Sequence, residues 1–375
     1  MPATPPTPEA QVSMSDAPRR PVRLGRRGFL IGGGAVLVAA LGTGAATSGP
    51  KGELAREASR GHFDLRADSH PFMRRQTAHN GTVLQSFAFD DVNEHVYVAQ
   101  TMQGGVTLWG ESEPVSWERR DADGDMCLTK LDYRGGELGY MYLKGFGHGV
   151  SIGVEPDGDD AYIWTETDTN PGSGYGRAIA RFKFADARTL TYGHDEFEVH
   201  RPVPGSTSNR PALDVGDSRL LLSYRGEDSS GESDTRYALY DLERFKAGDY
   251  EPVRDFPRPG VEPGEQFQGM ALHRGFVYQM VGDAYSEPDG DNPPENKGNT
   301  YLISADVVTG QVVQRTPTRA AHSLPFREPQ GLAMRLTDPP RLHMGFASGE
   351  PGRRDLTLYY KERLRGGRLD IHSAP

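Results

Sequence analysis

The 375-residue sequence predicts an all-β protein, a five-bladed β-propeller with four-stranded antiparallel blades, on three observations. Its apolar runs are short, rich in Val, Ile, Leu, Tyr and Phe, and broken by Gly, Pro, Asp and Asn, which is the pattern of strands and turns. One motif recurs five times at nearly even spacing. Further strand-like runs follow each copy in the same order, giving units of about sixty residues with four strands, the anatomy of a propeller blade.

The motif reads LQSFAFD (84–90), GHGVSIG (147–153), NRPALDV (209–215), FQGMALH (267–273) and PQGLAMR (329–335). Its polar residues are Gln85, His148, Arg210, Gln268 and Gln330, at intervals of 63, 62, 58 and 62 residues. Second runs are HVYVAQ, DAYIWTE, RLLLSYR, GFVYQM and RLHMGF. Third runs are LTKLDY, AIARFKF, RYALYDL, NTYLISAD and LTLYYKE, several with an acidic residue before a turn. Fourth runs are YMYLKG, EFEV, EPVRDF and VVQRTP, and the fifth unit has none. A strand from residues 62–75 is expected to complete that unit and remove a free sheet edge. A β-sandwich or two sheet domains would not naturally keep five copies in phase, whereas a degenerate unit within 50–80 would make six blades.

Ahead of the repeats lies a segment that reads as a secretory signal. Arg19, Arg20 and Arg23 precede the pair Arg26-Arg27, and the 18-residue apolar stretch FLIGGGAVLVAALGTGAA (29–46) follows. A basic start, a mildly apolar centre and small residues near the cut make a signal peptide, and the adjacent arginines make it the twin-arginine type. Cleavage is expected near residues 45–47. A retained anchor is the alternative, at the short limit for spanning a bilayer; no other segment could span one. The expected organisation is therefore a signal peptide over 1–49, a lead with the closing strand over 50–80, and the propeller over 81–375, in a protein secreted by the twin-arginine route.

The net charge is −10, and removing residues 1–49 takes away five arginines and two acidic residues, which leaves −13. A negative surface argues against a general nucleic-acid binder. Cys127 is the only cysteine, so no intrachain disulfide, thiolate zinc cluster or paired-cysteine redox motif is available, and its setting MCLT reads as buried.

In a propeller the first strand of each blade lines the axis, so Gln85, His148, Arg210, Gln268 and Gln330 are expected to converge at one end of the channel. Such a polar ring must bond to itself, hold water or hold a ligand. Second-strand ends add Gln100, Glu166, Arg225 and Gln279, with Trp164 expected at the same rim and Tyr224 beside Arg225. Arg210 and Arg225 could clamp an oxyanion. His148 is a candidate general base or acid, with Glu166 as its carboxylate partner. His79, Asn80, His322 and Glu328 are candidates for the same mouth, and His322 with Glu328 forms a second candidate acid–base pair. Each of these has an ordinary structural reading as well, as a hydrated ring or as surface residues.

Other motifs narrow the chemistry. There is no HExxH, no GxSxG nucleophile elbow, and GSGYGRA (172–178) lacks a βαβ context. No cofactor is predicted. Asp289, Asp291 and Asn292 in an acidic loop could offer oxygens to calcium, but their spacing departs from an EF-hand. Trp109, Trp117 and Trp164 are sugar-stacking candidates if exposed, and packing residues otherwise.

The segments LQSFAFDDVNEHVYVAQ, GDMCLTKLD, GYMYLKGFGHGVSIGVE, YIWTE, QGMALHRGFVYQM and PQGLAM resemble a propeller family. It includes the teichoic-acid protein C group of Gram-positive bacteria, helveticin-type bacteriocin relatives, and receptor-binding tail or baseplate proteins of staphylococcal phages. The resemblance covers most of residues 84–362 and implies association with the bacterial envelope and its glycopolymers; the exported N-terminus departs from a phage tail protein. The expected function is binding of an envelope or extracellular glycopolymer at the channel mouth. The rivals are a polysaccharide lyase, with a histidine base and an arginine on a uronate, a glycoside hydrolase, which needs two spaced carboxylates, and a scaffold binding a partner protein through its outer blade faces.

Overall fold

The computed structural model describes Gly52 and residues 61–171, 173–227, 233–285 and 300–365. The expected signal segment and the acidic-loop positions Asp289, Asp291 and Asn292 lie outside the described residues.

Two strands precede the repeats, β1 (His62–Phe63) and β2 (His70–Gln76). Blade 1 then runs from the axis outward as β3 (Leu84–Asp90), β4 (His95–Thr101), β5 (Met126–Asp132) and β6 (Glu137–Lys144), with a short helix α1 (Trp117–Asp123) between β4 and β5. Blade 2 holds β7 (Gly153–Asp157), β8 (Asp160–Thr169), β9 (Gly176–Lys183) and, after the small strand β10 (Thr189–Thr191), its outer strand β11 (Glu198–His200). Blade 3 is β12 (Thr207–Asp214), β13 (Arg219–Glu227), β14 (Ser233–Asp241) and, after helix α2 (Leu242–Lys246), β15 (Arg254–Pro257). Blade 4 is β16 (Phe267–His273), β17 (Phe276–Val281), β18 (Tyr301–Asp306) and β19 (Val312–Pro317). Blade 5 is β20 (Glu328–Arg335), β21 (Arg341–Glu350) and β22 (Arg353–Lys361), and β2 supplies its outer strand. The fold is the five-bladed propeller that the repeats predict.

Burial follows position in the blade. β4 is buried at six of seven positions because both its faces meet neighbouring blades, whereas the outer β6 alternates along its length. The acidic residues at strand ends are turn residues. Asp132 accepts hydrogen bonds from the backbone N–H groups of Arg134 and Gly136 (2.8 Å each), and Asp306 does the same for Val308 (2.7 Å) and Thr309 (2.9 Å). Asp241 instead caps α2 through Arg244 N.

Two pairings have no counterpart in the repeat pattern. β10 pairs in parallel with β6 of the preceding blade, and β1 pairs with β23 (Leu364–Arg365). Three and two residues are too few to carry a period, so no sequence signal marks them.

Closure works through β2. It runs antiparallel to β22, with Met73 opposite Leu358. Phe72 meets Tyr133 and Phe89 of blade 1 edge-on and His343 of blade 5, with centroids 5.1–5.9 Å apart. Arg335 reinforces this seam, with its guanidinium 4.1 Å from the Tyr133 ring and its Nε donating to Asp91 at 2.9 Å. Cys127 is fully buried, and burial pushes its thiol up to about 12.

At the axis the inner strands touch one residue beyond each polar position. Ser86 Oγ donates to Gly149 O (2.5 Å), and Ser151 Oγ donates to Pro211 O (2.7 Å). A Cβ at Gly269 would lie 2.7 Å from Gly331 Cα, and one at Gly331 would lie 2.9 Å from Ser86 Cα. Gly331 also has φ +76°, where a side chain is strained. Gly331→Ala is therefore expected to destabilise the protein by about 2 kcal/mol or more, from backbone strain plus overpacking. Urea unfolding of the variant beside the wild type measures this; an unchanged midpoint would show that the inner strands can part at no cost.

Candidate functional site

All five inner strands contribute to the wall of one axial cavity of about 340 Å³, through Ala88, Val154, Ala212, Ala271 and Ala333 among others. The shared axis inferred from the repeats is therefore present. The cavity occupies the end where the inner strands finish, and its lining is chiefly aliphatic. The five polar residues stand at the opposite end, where the inner strands begin and the second strands finish.

At that polar end the side chains form two groups. The first is a ladder across blades 2, 3 and 4. The imidazole of His148 lies on the Tyr175 ring (centroids 4.4 Å), and the Arg210 guanidinium stands 5.2 Å from the Tyr175 centroid and 5.4 Å from that of Phe267. Arg258 covers Phe267 at 4.7 Å. Arg210 is half-buried, and its Nε is buried with no hydrogen-bond partner among the described residues. The second group is Glu328 with Gln330, Arg354 and Asp283. Burial drives the Glu328 carboxyl up to about 7; the Asp283 charge adds to this, and Arg354 and a hydrogen bond with Gln330 oppose it. Burial raises Asp283 as well.

Both expected acid–base pairs are corrected. Glu166 is buried, but its Oε1 accepts the backbone N–H of His148 (2.9 Å) and of Gly149 (3.0 Å), and its Oε2 accepts Gly176 N (2.7 Å). It fixes the backbone of residues 148–149 and leaves the imidazole alone. The His148 ring turns instead to Asp121, with Nδ1 3.4 Å from Oδ1, and Nε2 lies 3.2 Å from Ser173 O. Both ring nitrogens thus face oxygen acceptors, and no lone pair is aimed at the channel. Asp121 sits on α1 in a loop of the neighbouring blade, where nothing in the sequence ties it to His148. His322 approaches Tyr285, with centroids 6.5 Å apart, and among the described residues it forms no ion pair with Glu328.

Several other expected rim residues turn inward. Trp164 is fully buried between blades, stacked on His200 with Nε1 donating to Glu155 (3.1 Å), so it cannot be the rim aromatic that its position suggests. Gln100 donates to the carbonyls of Asn80 (2.8 Å) and Thr82 (2.7 Å) and fastens the lead to blade 1. Gln279 lies between the Tyr237 hydroxyl (2.7 Å) and Pro259 O (2.8 Å). Gln268 donates to Gly282 O at 2.7 Å. A polar end group in a packed strand is satisfied first by the nearest backbone, and its residue type does not reveal that. Gln85 and Arg225 remain half-buried, with Arg225 opposite Thr207, while Tyr224 points to Asp255 (2.6 Å). His79 stacks on Tyr140 at 3.4 Å and contacts Glu137. Tyr175, Arg258 and Asp121 are the site residues the sequence did not expose, because loops carry them in. Among the described residues no cluster of His, Cys, Asp and Glu could hold a metal ion.

Residues 83–360 match the family described as the phage five-bladed β-propeller receptor-binding platform domain. A Bacillus subtilis (strain 168) protein bearing the name major teichoic acid biosynthesis protein C is 26% identical over 291 residues, which is 74% of this chain and 59% of that protein. The chain thus spans less than two thirds of that relative's length. The tail fiber of Staphylococcus aureus phage P68 shares the fold at a TM-score of 0.57 and 17% identity, over 80% of this chain and 54% of that one.

The Glu328 environment has a measurable consequence. Because its folded value lies above the ordinary 4.5, the folded state holds the proton more tightly than the unfolded chain does. Its contribution to stability is complete below pH 4.5 and is lost as pH rises through about 7. Glu328→Gln is expected to match the wild-type Tm at pH 4 and exceed it by roughly 2–5 °C at pH 8. Thermal melts at the two pH values test this, and a gain that is the same at both would refute it.

Proposed function

The chain belongs to the family of phage five-bladed β-propeller receptor-binding platform domains, and we propose that it is an exported binding protein for an anionic glycopolymer of the bacterial envelope. The polymer, bearing phosphate or carboxylate, lies across the polar end of the channel. The observation that carries this is Arg210, a half-buried guanidinium set between two aromatic rings, 5.2 Å from the Tyr175 centroid and 5.4 Å from that of Phe267. A preset planar cation of this kind suits an oxyanion, since its fork is oriented before the ligand arrives. Arg258 brings a second guanidinium onto Phe267, 4.7 Å from its centroid. The names of the relatives, one from teichoic acid biosynthesis and one from a phage tail fiber, point to envelope glycopolymers. The Arg26-Arg27 leader fits a protein that meets its ligand outside the cell.

Binding is favoured over cleavage by the His148 geometry. A lyase base needs an open nitrogen facing substrate, and both ring nitrogens here face Asp121 and Ser173. The test is retention of the protein on purified wall teichoic acid and on a polyuronate, with dextran as the neutral control and product release measured in the same samples. Wild type is expected to be retained on an anionic polymer, increasingly weakly as salt rises, with no product released. Arg210→Gln is expected to weaken retention about tenfold to a hundredfold, the scale of a hydrogen bond to a charged group. Equal retention of the variant, or release of product, would overturn the assignment.

A further inference from the structure

The polymer reading above leaves open how the sugars would be held, and the loop between β4 and β5 addresses this. We propose that Trp109 is a stacking platform for a pendant sugar ring of the polymer, presented on a turn that is rigid before binding. Trp109 is 96% exposed, whereas Trp164 is fully buried. Single apolar residues are common on surfaces, but an indole left almost wholly in water is a large apolar area kept out of the core.

The turn beneath it is built to hold that position. Glu111 N donates to Leu108 O at 3.1 Å, closing the four-residue turn Leu108, Trp109, Gly110 and Glu111. Gly110, the third residue, has φ +85°, which favours glycine, so Trp109 occupies the second position at the tip. Both ends of the turn are anchored. The Leu108 side chain is buried, and its N–H donates to Glu111 Oε2 at 2.8 Å. The Glu111 carboxylate takes two donors from Arg120 (2.6 Å each) and one from Lys144 (2.6 Å), and Arg120 reaches on to Asp125 at 2.8 Å. Arg120 is 1% exposed, and its guanidinium holds the Glu111 carboxyl down at about 2, so the anchor stays charged at working pH. The bridge between Val106 and Val115 narrows the neck of the loop.

The loop also belongs to the polar end of the channel. It leaves β4 where the inner strand β3 begins, since Leu84 pairs with Gln100, and it continues into α1, whose Asp121 contacts His148. A rigid exposed indole at the same end of the propeller as a cationic ladder suits an extended ligand with alternating needs, apolar ring faces and anionic links. A polyol-phosphate chain bearing sugars has both. A fixed platform also avoids the ordering cost that a mobile loop would carry.

The experiment compares poly(glycerol phosphate) with and without attached hexose, titrated into the full-length wild type, Trp109→Ala and Trp109→Phe, with far-UV circular dichroism and Tm confirming folding. Trp109→Ala is expected to bind the glycosylated polymer about tenfold more weakly, the loss typical of an aromatic anchor, and the bare polymer unchanged. Trp109→Phe is expected to recover most of the loss. Wild-type tryptophan emission is expected to move to shorter wavelength only with the glycosylated polymer. Equal affinity of Trp109→Ala and wild type for the glycosylated polymer overturns the Trp109 assignment while leaving the anionic-polymer reading intact. Failure of wild type to bind either polymer overturns both, and equal loss on the bare polymer overturns the sugar role.

Discussion

The approach of the five inner strands at the axis governs the rest of the molecule. Ser86 to Gly149, Ser151 to Pro211, and the packing of Gly269 on Gly331 and of Gly331 on Ser86 bring the strands so close that little room remains between them. Small residues and backbone carbonyls fill those places because nothing larger fits. One residue earlier, on four of the inner strands and in the segment that leads into β7 for His148, the side chain has nowhere to go but the end of the channel or the space between blades. The polar positions are therefore not a ring in mutual contact. They are five residues released from a crowded axis, each free to find its own partner.

The two ends of the channel differ as a result. Beyond the constriction the strands open onto an aliphatic cavity, lined by alanines and by side chains such as Leu332 and Met334. Before it, the loops that join second to third strands and one blade to the next can reach in, and they bring Asp121, Tyr175 and Arg258. His148 and Arg210 become a ladder because Tyr175 lies between them. Glu328 becomes a carboxyl that titrates near neutrality because burial there outweighs Arg354 and Gln330. A cationic flank and a protonatable flank thus share one mouth, and chemistry reaches it mostly by way of loops.

Stability without a disulfide rests on closure. The strand β2 comes from the start of the propeller and pairs with β22 near its end, so the outermost strand of blade 5 is fixed only after the chain is nearly complete. Phe72, Tyr133, His343 and Arg335 then pack across the seam between the last and first blades. The contact is non-local by nearly the whole length of the propeller, a topology expected to fold slowly.

The sequence by itself determined the blade count, the order of strands, the origin of the closing strand and the phase of Gln85, His148, Arg210, Gln268 and Gln330. These follow from periodicity, which repetition amplifies: one ambiguous strand is weak, but five copies in register are not. Only the tertiary structure decided which polar groups are spent. Gln100 and Gln279 bond to nearby groups, Trp164 lies between blades, and the imidazole of His148 turns to Asp121 while Glu166 holds its backbone. Side-chain direction at a strand end depends on loops from other blades, and irregular loops have no period to read. The fold was written in repetition; the partners at its mouth were set by contacts between segments that share no pattern.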